Sequence, residues 1–246
     1  MSCNLLVDIG NSSAKIAFAT GDEITWHGRI SGSDVAEQVC QAAIKYRADK
    51  AMICSVATEP SALINALKEQ GIISLLLNNS TPLPFKIAYR TPQTLGCDRI
   101  AAVAGALTKK KKDHLLVIDA GSCITYEFIS GDTYLGGNIA PGLKMRLRSM
   151  HEHTARLPQT EAQGELPEIG HDTDTAIRCG ALRGIQHEIE GYARMMHNQY
   201  GKPLQIVLTG GDAQQIKETL TVEADIDEAL VLRGLNNILI YNEEND

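Results

Sequence analysis

The sequence predicts an α/β protein built from two similar halves. Residues 4–30 and 115–139 share one pattern, in which an apolar strand ends at Asp-x-Gly, a strand rich in apolar and β-branched residues follows, and a Gly-Asp turn leads into a third strand. The two Asp-x-Gly aspartates lie 111 residues apart, about the length of one small domain. A chain of 246 residues can hold two such domains. We therefore expect an N-terminal domain over 1–112 and a C-terminal domain over 113–246.

After its three-stranded meander, the first half alternates helices with a strand. Helical spacing of apolar residues predicts helices over 33–47, 60–71 and 99–112. A continuous apolar run predicts a buried strand over 50–56. The proline-containing segment 81–99 is predicted to be a loop with one edge strand.

The second half follows the same plan with longer helices. Apolar periodicity predicts helices over 142–157, 173–200 and 227–241, and a loop over 158–172. The strand predicted over 205–211 ends in a glycine pair. Such a strand end suits the flat face of an adenine or ribose, and a simple β-α turn fits the same residues.

Composition and charge exclude several classes of protein. With 23 basic and 30 acidic residues, the net charge of −7 disfavours a basic face for a nucleic acid. Aromatic residues make up 4% of the chain, too few to favour a stacking platform for single strands. We expect no nucleic-acid partner, and we expect any bound phosphate to be held by local backbone geometry.

Hydropathy and cysteine spacing point to a cytoplasmic protein. No apolar run reaches the roughly 18 residues that a membrane span requires, and Asp8 interrupts the N-terminus before a signal-peptide core could form. The six cysteines show no C-x-x-C spacing, which disfavours a zinc site or a disulfide scaffold. We expect reduced cysteines that are mostly small core residues.

The Asp-x-Gly turns, Asp8 to Gly10 and Asp119 to Gly121, are candidate phosphate sites. A glycine after a strand-end aspartate removes the Cβ that would keep a phosphate from the backbone amides. The carboxylates could hold hydrated Mg²⁺, which prefers oxygen ligands. An ordinary hairpin is the alternative for each turn, although two turns in matching places favour the phosphate interpretation. Neither a Walker A nor a G-x-G-x-x-G motif is present.

Five ordered blocks carry a resemblance to a known family: DIGNSSAKIAF at 8–18, TLGCDRIAAVAGAL at 94–107, VIDAGSCITYEFI at 117–129, GGNIAPGLKMRL and HTARLP within 136–158, and GHDTDTAIRCGALRGIQHEIEGY at 170–192. On these blocks the sequence resembles the type III pantothenate kinases. This family is part of the acetate and sugar kinase, heat-shock ATPase and actin superfamily. The resemblance implies two duplicated actin-like (ribonuclease H-like) ATPase domains with a nucleotide cleft between them.

The implied reaction is ATP-dependent phosphorylation of the primary hydroxyl of pantothenate to 4′-phosphopantothenate, the first step of coenzyme A biosynthesis. Asp98 matches the catalytic base of the family. The resemblance implies that pantothenate is bound by Tyr89, Gly96, Cys97, Asp98, Arg99 and Thr173. It also implies a homodimer with the substrate site at the subunit interface.

For ATP, the resemblance implies contacts from two segments. One is the first turn, comprising Asp8, Ile9, Gly10, Asn11, Ser12, Ser13, Ala14 and Lys15, and the other is Ser122. Asp119 matches the site of a monovalent cation, K⁺ or NH₄⁺, and Mg²⁺ accompanies the nucleotide. The sequence departs from the family pattern at Ser12 and Lys15 and at the Ser122-Cys123 pair, and the two serines retain the hydroxyl of the usual threonine.

The same residues allow plainer roles. Asp98 precedes an apolar-periodic helix, so it could be a helix N-cap. Arg99 could pair with a surface acid, and Thr173 could be the N-cap of the long helix. The alternatives for function are a non-catalytic regulator on the same fold and a related kinase for another small alcohol.

Overall fold

A computed structural model describes residues 2–10, 13–32, 34–56, 59–201 and 204–245. Contacts between residues divide the chain into two units. Unit 1 comprises 1–109, 132–134 and 229–246, and unit 2 comprises 110–131 and 135–228. The C-terminal segment therefore groups with the N-terminal part of the chain. The sequence-based division at residue 112 stays a prediction about domain organisation.

Unit 1 is built on a five-stranded sheet. Its strands are β1 (Cys3–Ile9), β2 (Ala14–Thr20), β3 (Glu23–Ile30), β4 (Lys50–Ser55) and β5 (Ile73–Leu76). The order is β3-β2-β1-β4-β5; the β1-β2 and β2-β3 pairs are antiparallel, and the β1-β4 and β4-β5 pairs are parallel. The antiparallel meander predicted for the first half is confirmed. The parallel β1-β4 register places Asp8 beside Cys54.

Four helices complete unit 1: α1 (Val35–Lys45), α2 (Ser61–Glu69), α3 (Cys97–Thr108) and α7 (Leu230–Asn245). Helices α1 and α2 bury Val39, Ala43, Leu63 and Leu67 in one core with side chains of β1, β2 and β4. Helix α3 packs against α7, where glycines allow the backbones to meet. A Cβ on Gly234 would lie 2.8 Å from the amide nitrogen of Gly105, so the crossing excludes a side chain there.

A second sheet has six strands: β6 (Lys86–Ile87), β7 (His114–Ala120), β8 (Cys123–Ser130), β9 (Thr133–Pro141), β10 (Leu204–Thr209) and β11 (Asp225–Ile226). Their order is β11-β10-β7-β8-β9-β6. Strands β7 and β8 are antiparallel, as the second meander predicts, and β10 runs parallel to β7. Strand β6 pairs with Thr133 and Tyr134, which group with unit 1.

The helices of unit 2 are α4 (Leu143–Glu152), α5 (Thr173–Tyr200) and α6 (Ala213–Lys217). The bounds of α5 are those predicted. The apolar face expected on it faces a core of its own unit, with Ile177, Ala181, Ile185, Ile189 and Met196 buried and Tyr192 partly buried. Helix α4 ends at Glu152, earlier than the predicted 157.

The described part of the chain contains no helix long and apolar enough to cross a membrane. The six cysteines are free, as expected. The expectation that most of them are core residues is wrong, because only Cys54 and Cys179 are buried and Cys123 is exposed.

Candidate active site

The first Asp-x-Gly turn lies between β1 and β2. Asp8 is half-buried near the end of β1, and the amide of Gly10 donates a hydrogen bond to the carbonyl of Ser13 at 3.1 Å, which closes the turn. Ile9, Ala14 and Lys15 lie in the strands on either side. Asn11 and Ser12, two of the predicted ATP contacts, lie outside the described residues.

Asp98 lies in the first turn of α3. The helix begins at Cys97 because Gly96 holds an extended conformation before it, with φ −60° and ψ 138°. The Asp98 carboxylate is half-buried and accepts a hydrogen bond from the amide of Arg99 at 2.8 Å. Gly96 occupies the N-cap position, so the N-cap alternative for Asp98 is wrong.

A pair of thiols lies close to both Asp8 and Asp98. Cys97 donates from its Sγ to the carbonyl of Ser55 at 3.5 Å, and it also forms a hydrogen bond with Cys54. This thiol hydrogen bond, followed by burial, raises the pKa of Cys54, and the charges of Asp8 and Asp98 raise it further. The same hydrogen bond lowers the pKa of Cys97, against burial and those two carboxylates. The β1-β4 register, which sets Asp8 beside Cys54, and the hydrogen bond from Cys97 to Ser55 place the first turn and the start of α3 in one neighbourhood.

Arg99 is buried, with 6% of its surface exposed, so its side chain does not lie free at the surface. Its Nη2 donates to the hydroxyl of Tyr134 at 3.0 Å. Its guanidinium carbon lies 5.9 Å from the centre of the Tyr89 ring. The rings of Tyr89 and Tyr134 stack with centroids 6.2 Å apart. Two predicted substrate contacts, Tyr89 and Arg99, therefore meet around Tyr134.

The second Asp-x-Gly turn lies between β7 and β8. Asp119 is half-buried, and the amide of Gly121 donates to the carbonyl of Cys123, two residues on, at 2.9 Å. Ser122 is exposed, which leaves its side chain accessible to a ligand. The amide of Gly142 donates to the carbonyl of Ser122 at 3.1 Å, so the GGNIAPG segment packs directly against this turn.

The glycine pair after β10 packs against the same turn. Gly210 has a φ of +93°, and a Cβ there would collide with the carbonyl of Ala120 and a carboxylate oxygen of Asp119. The amide of Asp212 donates to the carbonyl of Ala120 at 3.0 Å. Burial raises the pKa of Asp212, and the charge of Lys144 opposes this shift. The backbone of residues 210–212 therefore lies directly against Asp119 and Ala120.

A strand-end carboxylate such as that of Asp119 suits a hard cation. Mg²⁺ and Ca²⁺ prefer oxygen ligands, and an alkali cation likewise takes carboxylate and carbonyl oxygens. In the part of the chain that the structure describes, no cluster of three or more His, Cys, Asp or Glu side chains forms a metal site.

Thr173 is the exposed first residue of α5. The N-cap is Asp172, whose carboxylate accepts from the amide of Thr175 at 2.8 Å. Thr175 completes a capping box by accepting from the amide of Asp172. The alternative that Thr173 caps the helix is therefore wrong.

Sequence reasoning missed Tyr134 and Gly142 as parts of these sites. Tyr134 lies in β9, far in sequence from the G-x-D-R segment that it contacts. Gly142 lies in the GGNIAPG segment, which is part of one of the family blocks, so the sequence marks it as a candidate. Its contact with Ser122 is visible only in the folded structure.

Mixed α/β architecture with two sheets and two Asp-x-Gly turns is that of the duplicated actin-like ATPase and sugar kinase class. A ROK family protein from Streptococcus pneumoniae, solved with sucrose, has this fold, with a TM-score of 0.51 at 12% identity, covering 99% of this chain and 100% of that one. A putative Baf family transcriptional activator from Campylobacter jejuni matches with a TM-score of 0.68 at 24% identity, over 98% of this chain and 99% of that one. These two likenesses show the fold.

The family follows from sequence. The model of the type III pantothenate kinase family matches residues 4–195. A type III pantothenate kinase from Bacteroides fragilis is 43% identical over 243 residues, which cover 97% of this chain and 98% of that protein. The chain belongs to the type III pantothenate kinase family. It is thus a kinase, of a family that phosphorylates pantothenate in coenzyme A biosynthesis.

Proposed function

We propose that this chain transfers the γ-phosphoryl group of ATP to the primary hydroxyl of pantothenate, with Asp98 as the base that accepts the hydroxyl proton. The observation that carries this assignment is the placement of Asp8 and Asp98 around one thiol pair. The β1-β4 register sets Asp8 beside Cys54. Cys97, the residue before Asp98, donates from its Sγ to the carbonyl of Ser55, the residue after Cys54. This placement brings a half-buried carboxylate close to a turn suited to phosphate. Phosphoryl transfer requires that combination, because catalysis rests on positioning the nucleophile and stabilising the phosphate charge.

Pantothenate, in this proposal, contacts the start of α3 and its surroundings. Arg99 and Tyr89 are held together in one cluster, and Gly96 and Cys97 flank Asp98. A guanidinium has donors alone, and pantothenate offers hydroxyl, amide and carboxylate oxygens that accept them. Thr173, exposed at the first residue of α5, contributes a hydroxyl to the substrate site at the interface of a homodimer.

ATP is proposed to contact the residues of the first turn, Asp8 to Lys15, and the exposed Ser122. The absence of a side chain at Gly10 and Gly121 lets phosphate oxygens approach the backbone of each turn closely. Mg²⁺ would accompany the nucleotide, and Asp119 would hold K⁺ or NH₄⁺, which neutralises phosphate charge when bound. We also propose that the protein acts in the cytoplasm.

The test is pantothenate-dependent ADP release by the purified protein with ATP, Mg²⁺ and K⁺. We expect turnover, and we expect Asp98→Asn to lower kcat by about 10²–10⁴-fold, the usual contribution of a general base. Asp34→Asn is the matched control, because Asp34 is an exposed aspartate that precedes α1 and makes no side-chain capping bond.

Each contrary result identifies what fails. An unimpaired Asp98→Asn variant would remove the base assignment. Absence of turnover would favour a non-catalytic regulator, and turnover with another alcohol alone would favour a different kinase. Replacing K⁺ by Na⁺ should lower the rate, and equal rates would remove the cation assignment at Asp119.

A further inference from the structure

Tyr134 is a tyrosine of unit 1 whose side chain is almost completely buried. It lies near the start of β9 with 1% of its surface exposed. A buried tyrosine usually finds a partner for its hydroxyl, since an unpaired buried hydroxyl is costly. Here the hydroxyl accepts from Nη2 of Arg99 at 3.0 Å.

The backbone of Tyr134 also fixes the segment that carries Tyr89. Tyr134 pairs with Ile87 of β6, and its carbonyl accepts from the amide of Ala88 at 2.9 Å. The next residue is Tyr89, whose ring stacks on that of Tyr134 with an angle of 24° between the ring planes. Tyr134 therefore contacts both Arg99 and Tyr89, which lie ten positions apart in the chain.

Positioning matters for Arg99 because its side chain is long and charged. An arginine side chain has many rotamers, and a guanidinium that is already held in place loses less conformational entropy on binding than a mobile one. The Tyr134 hydroxyl provides an acceptor in a place where little water reaches the guanidinium. The guanidinium of Arg99 also lies over the face of the Tyr89 ring, where a cation is attracted by the ring electrons.

We propose that Tyr134 is a positioning residue for pantothenate binding, in which its hydroxyl orients the Arg99 guanidinium and its strand pairing and ring fix Tyr89. This inference rests on the proposed function, in which Arg99 and Tyr89 contact pantothenate. Tyr134 itself acts through those two residues.

The experiment compares steady-state kinetics of the wild type, Tyr134→Phe and Arg99→Lys. Tyr134→Phe keeps the ring and the backbone pairing and removes the acceptor for Nη2. We expect the KM for pantothenate to rise about tenfold, equivalent to about 1.4 kcal/mol. The KM for ATP and the kcat should stay within about twofold, because the loss affects substrate binding.

Tyr46→Phe is the matched control. Tyr46 is a half-buried tyrosine of unit 1 whose ring stacks on Phe18 and Trp26. Its substitution should leave all three kinetic constants unchanged. Thermal unfolding of both tyrosine variants separates a general loss of stability from the specific change in KM.

Four outcomes distinguish this inference from the proposed function on which it rests. If the wild type does not phosphorylate pantothenate, the proposed function fails. If Arg99→Lys raises the KM for pantothenate and Tyr134→Phe does not, the role of Tyr134 is overturned while the function stands. Equal rises in the two KM values for Tyr134→Phe would also overturn it, since a structural defect would then explain both. The inference is supported if Tyr134→Phe raises the KM for pantothenate. In that case the Tyr134→Phe/Arg99→Lys double variant should have a KM little higher than that of Arg99→Lys alone.

Discussion

The amide of Gly142 donates a hydrogen bond to the carbonyl of Ser122 at 3.1 Å. A Cβ at position 142 would lie 2.6 Å from that same carbonyl oxygen and closer still to the carbonyl of Gly121. The start of α4 is thus in direct contact with the second Asp-x-Gly turn. Position 142 of the GGNIAPG block therefore requires glycine, because a larger residue would displace the turn that carries Ser122.

Gly142→Ala should displace that turn. The backbone at 142, with φ −67° and ψ 169°, suits alanine, so the effect comes from the collision with carbonyl oxygens. We expect a loss of about 1–3 kcal/mol in the free energy of unfolding, typical of overpacking, and a raised KM for ATP. Urea unfolding and steady-state kinetics measure the two effects.

Gly191→Ala is the control, because a Cβ on this glycine of α5 would meet its nearest neighbour, the Nη2 of Arg194, at 4.0 Å. Alanine is a better helix former than glycine, so this variant should be as stable as the wild type or more stable. A Gly142→Ala variant with unchanged stability and ATP kinetics would contradict the proposed support of the turn.

Much of this architecture is predictable from the sequence because its signals are local. The bounds of α5 follow from apolar spacing between Asp172, which caps it, and Gly201, whose φ of +61° ends it. Helix α3 begins at Cys97, two residues before its predicted start, because Gly96 has no side-chain cap that would mark the boundary.

The contacts that sequence could not predict join distant segments. Gly105 and Gly234 meet where α3 crosses α7, and nothing local to either glycine indicates the other. Tyr134 likewise pairs with Arg99 across 35 positions. Long-range packing of this kind depends on the order of strands and helices in space, which residue spacing does not encode.

Cys97 should be a reactive thiol whose reactivity depends on Cys54. The hydrogen bond with Cys54 lowers the pKa of the Cys97 thiol, although burial opposes the shift. The thiolate is the reactive form, so a lowered pKa makes alkylation faster at neutral pH. In Cys54→Ala the pKa of Cys97 should rise, and the alkylation rate at pH 7.5 should fall several-fold.

Iodoacetamide labelling followed by peptide mass spectrometry measures the rate at Cys97 across pH. Cys40→Ala is the control, since Cys40 is another half-buried thiol of unit 1, and its Sγ donates to the carbonyl of Ala66. It should leave the pH profile of Cys97 unchanged. Identical profiles in the wild type and Cys54→Ala would show that the thiol pair does not set this reactivity.

Replacing His114 by phenylalanine should make the protein more stable. It lies at the start of β7 with 6% of its surface exposed and stacks on Tyr200 with ring centroids 4.6 Å apart. Neither ring nitrogen has a hydrogen-bond partner among the described residues. Burying an unpaired polar atom costs about 1–3 kcal/mol, so His114→Phe should raise the free energy of unfolding by about 1 kcal/mol.

Chemical denaturation of His114→Phe beside His27→Phe measures this gain. His27 is exposed on β3, and surface substitutions usually stay within about 0.5 kcal/mol. A destabilised His114→Phe would indicate that the imidazole has a partner that phenylalanine cannot replace.

Glu188 should stabilise unit 2 in a pH-dependent way. Its carboxylate accepts from Nη1 and Nη2 of Arg146 at 2.8 and 2.7 Å and from the Tyr126 hydroxyl at 2.7 Å. Burial raises the pKa of Glu188, but these hydrogen bonds lower it by more, so the pKa lies below its ordinary value of 4.5. Nε of Arg146 also donates to the carbonyl of Pro141 at 2.8 Å, which ties the pair to the residue before Gly142.

A folded-state pKa below the unfolded value stabilises the protein above the unfolded pKa, and this contribution is lost as pH falls through the folded pKa. Glu188→Gln should therefore cost about 1 kcal/mol at pH 7, a value that allows for partial solvent screening. The difference between variant and wild type should shrink as the pH falls below 4.5. Glu152→Gln, which removes an exposed pair with Arg148, should cost less at pH 7. Urea unfolding at pH 7 and pH 4 measures the free energy of unfolding of both variants. If Glu188→Gln loses the same free energy at both pH values, then hydrogen-bond geometry, and not the charge of Glu188, holds Arg146 against Pro141.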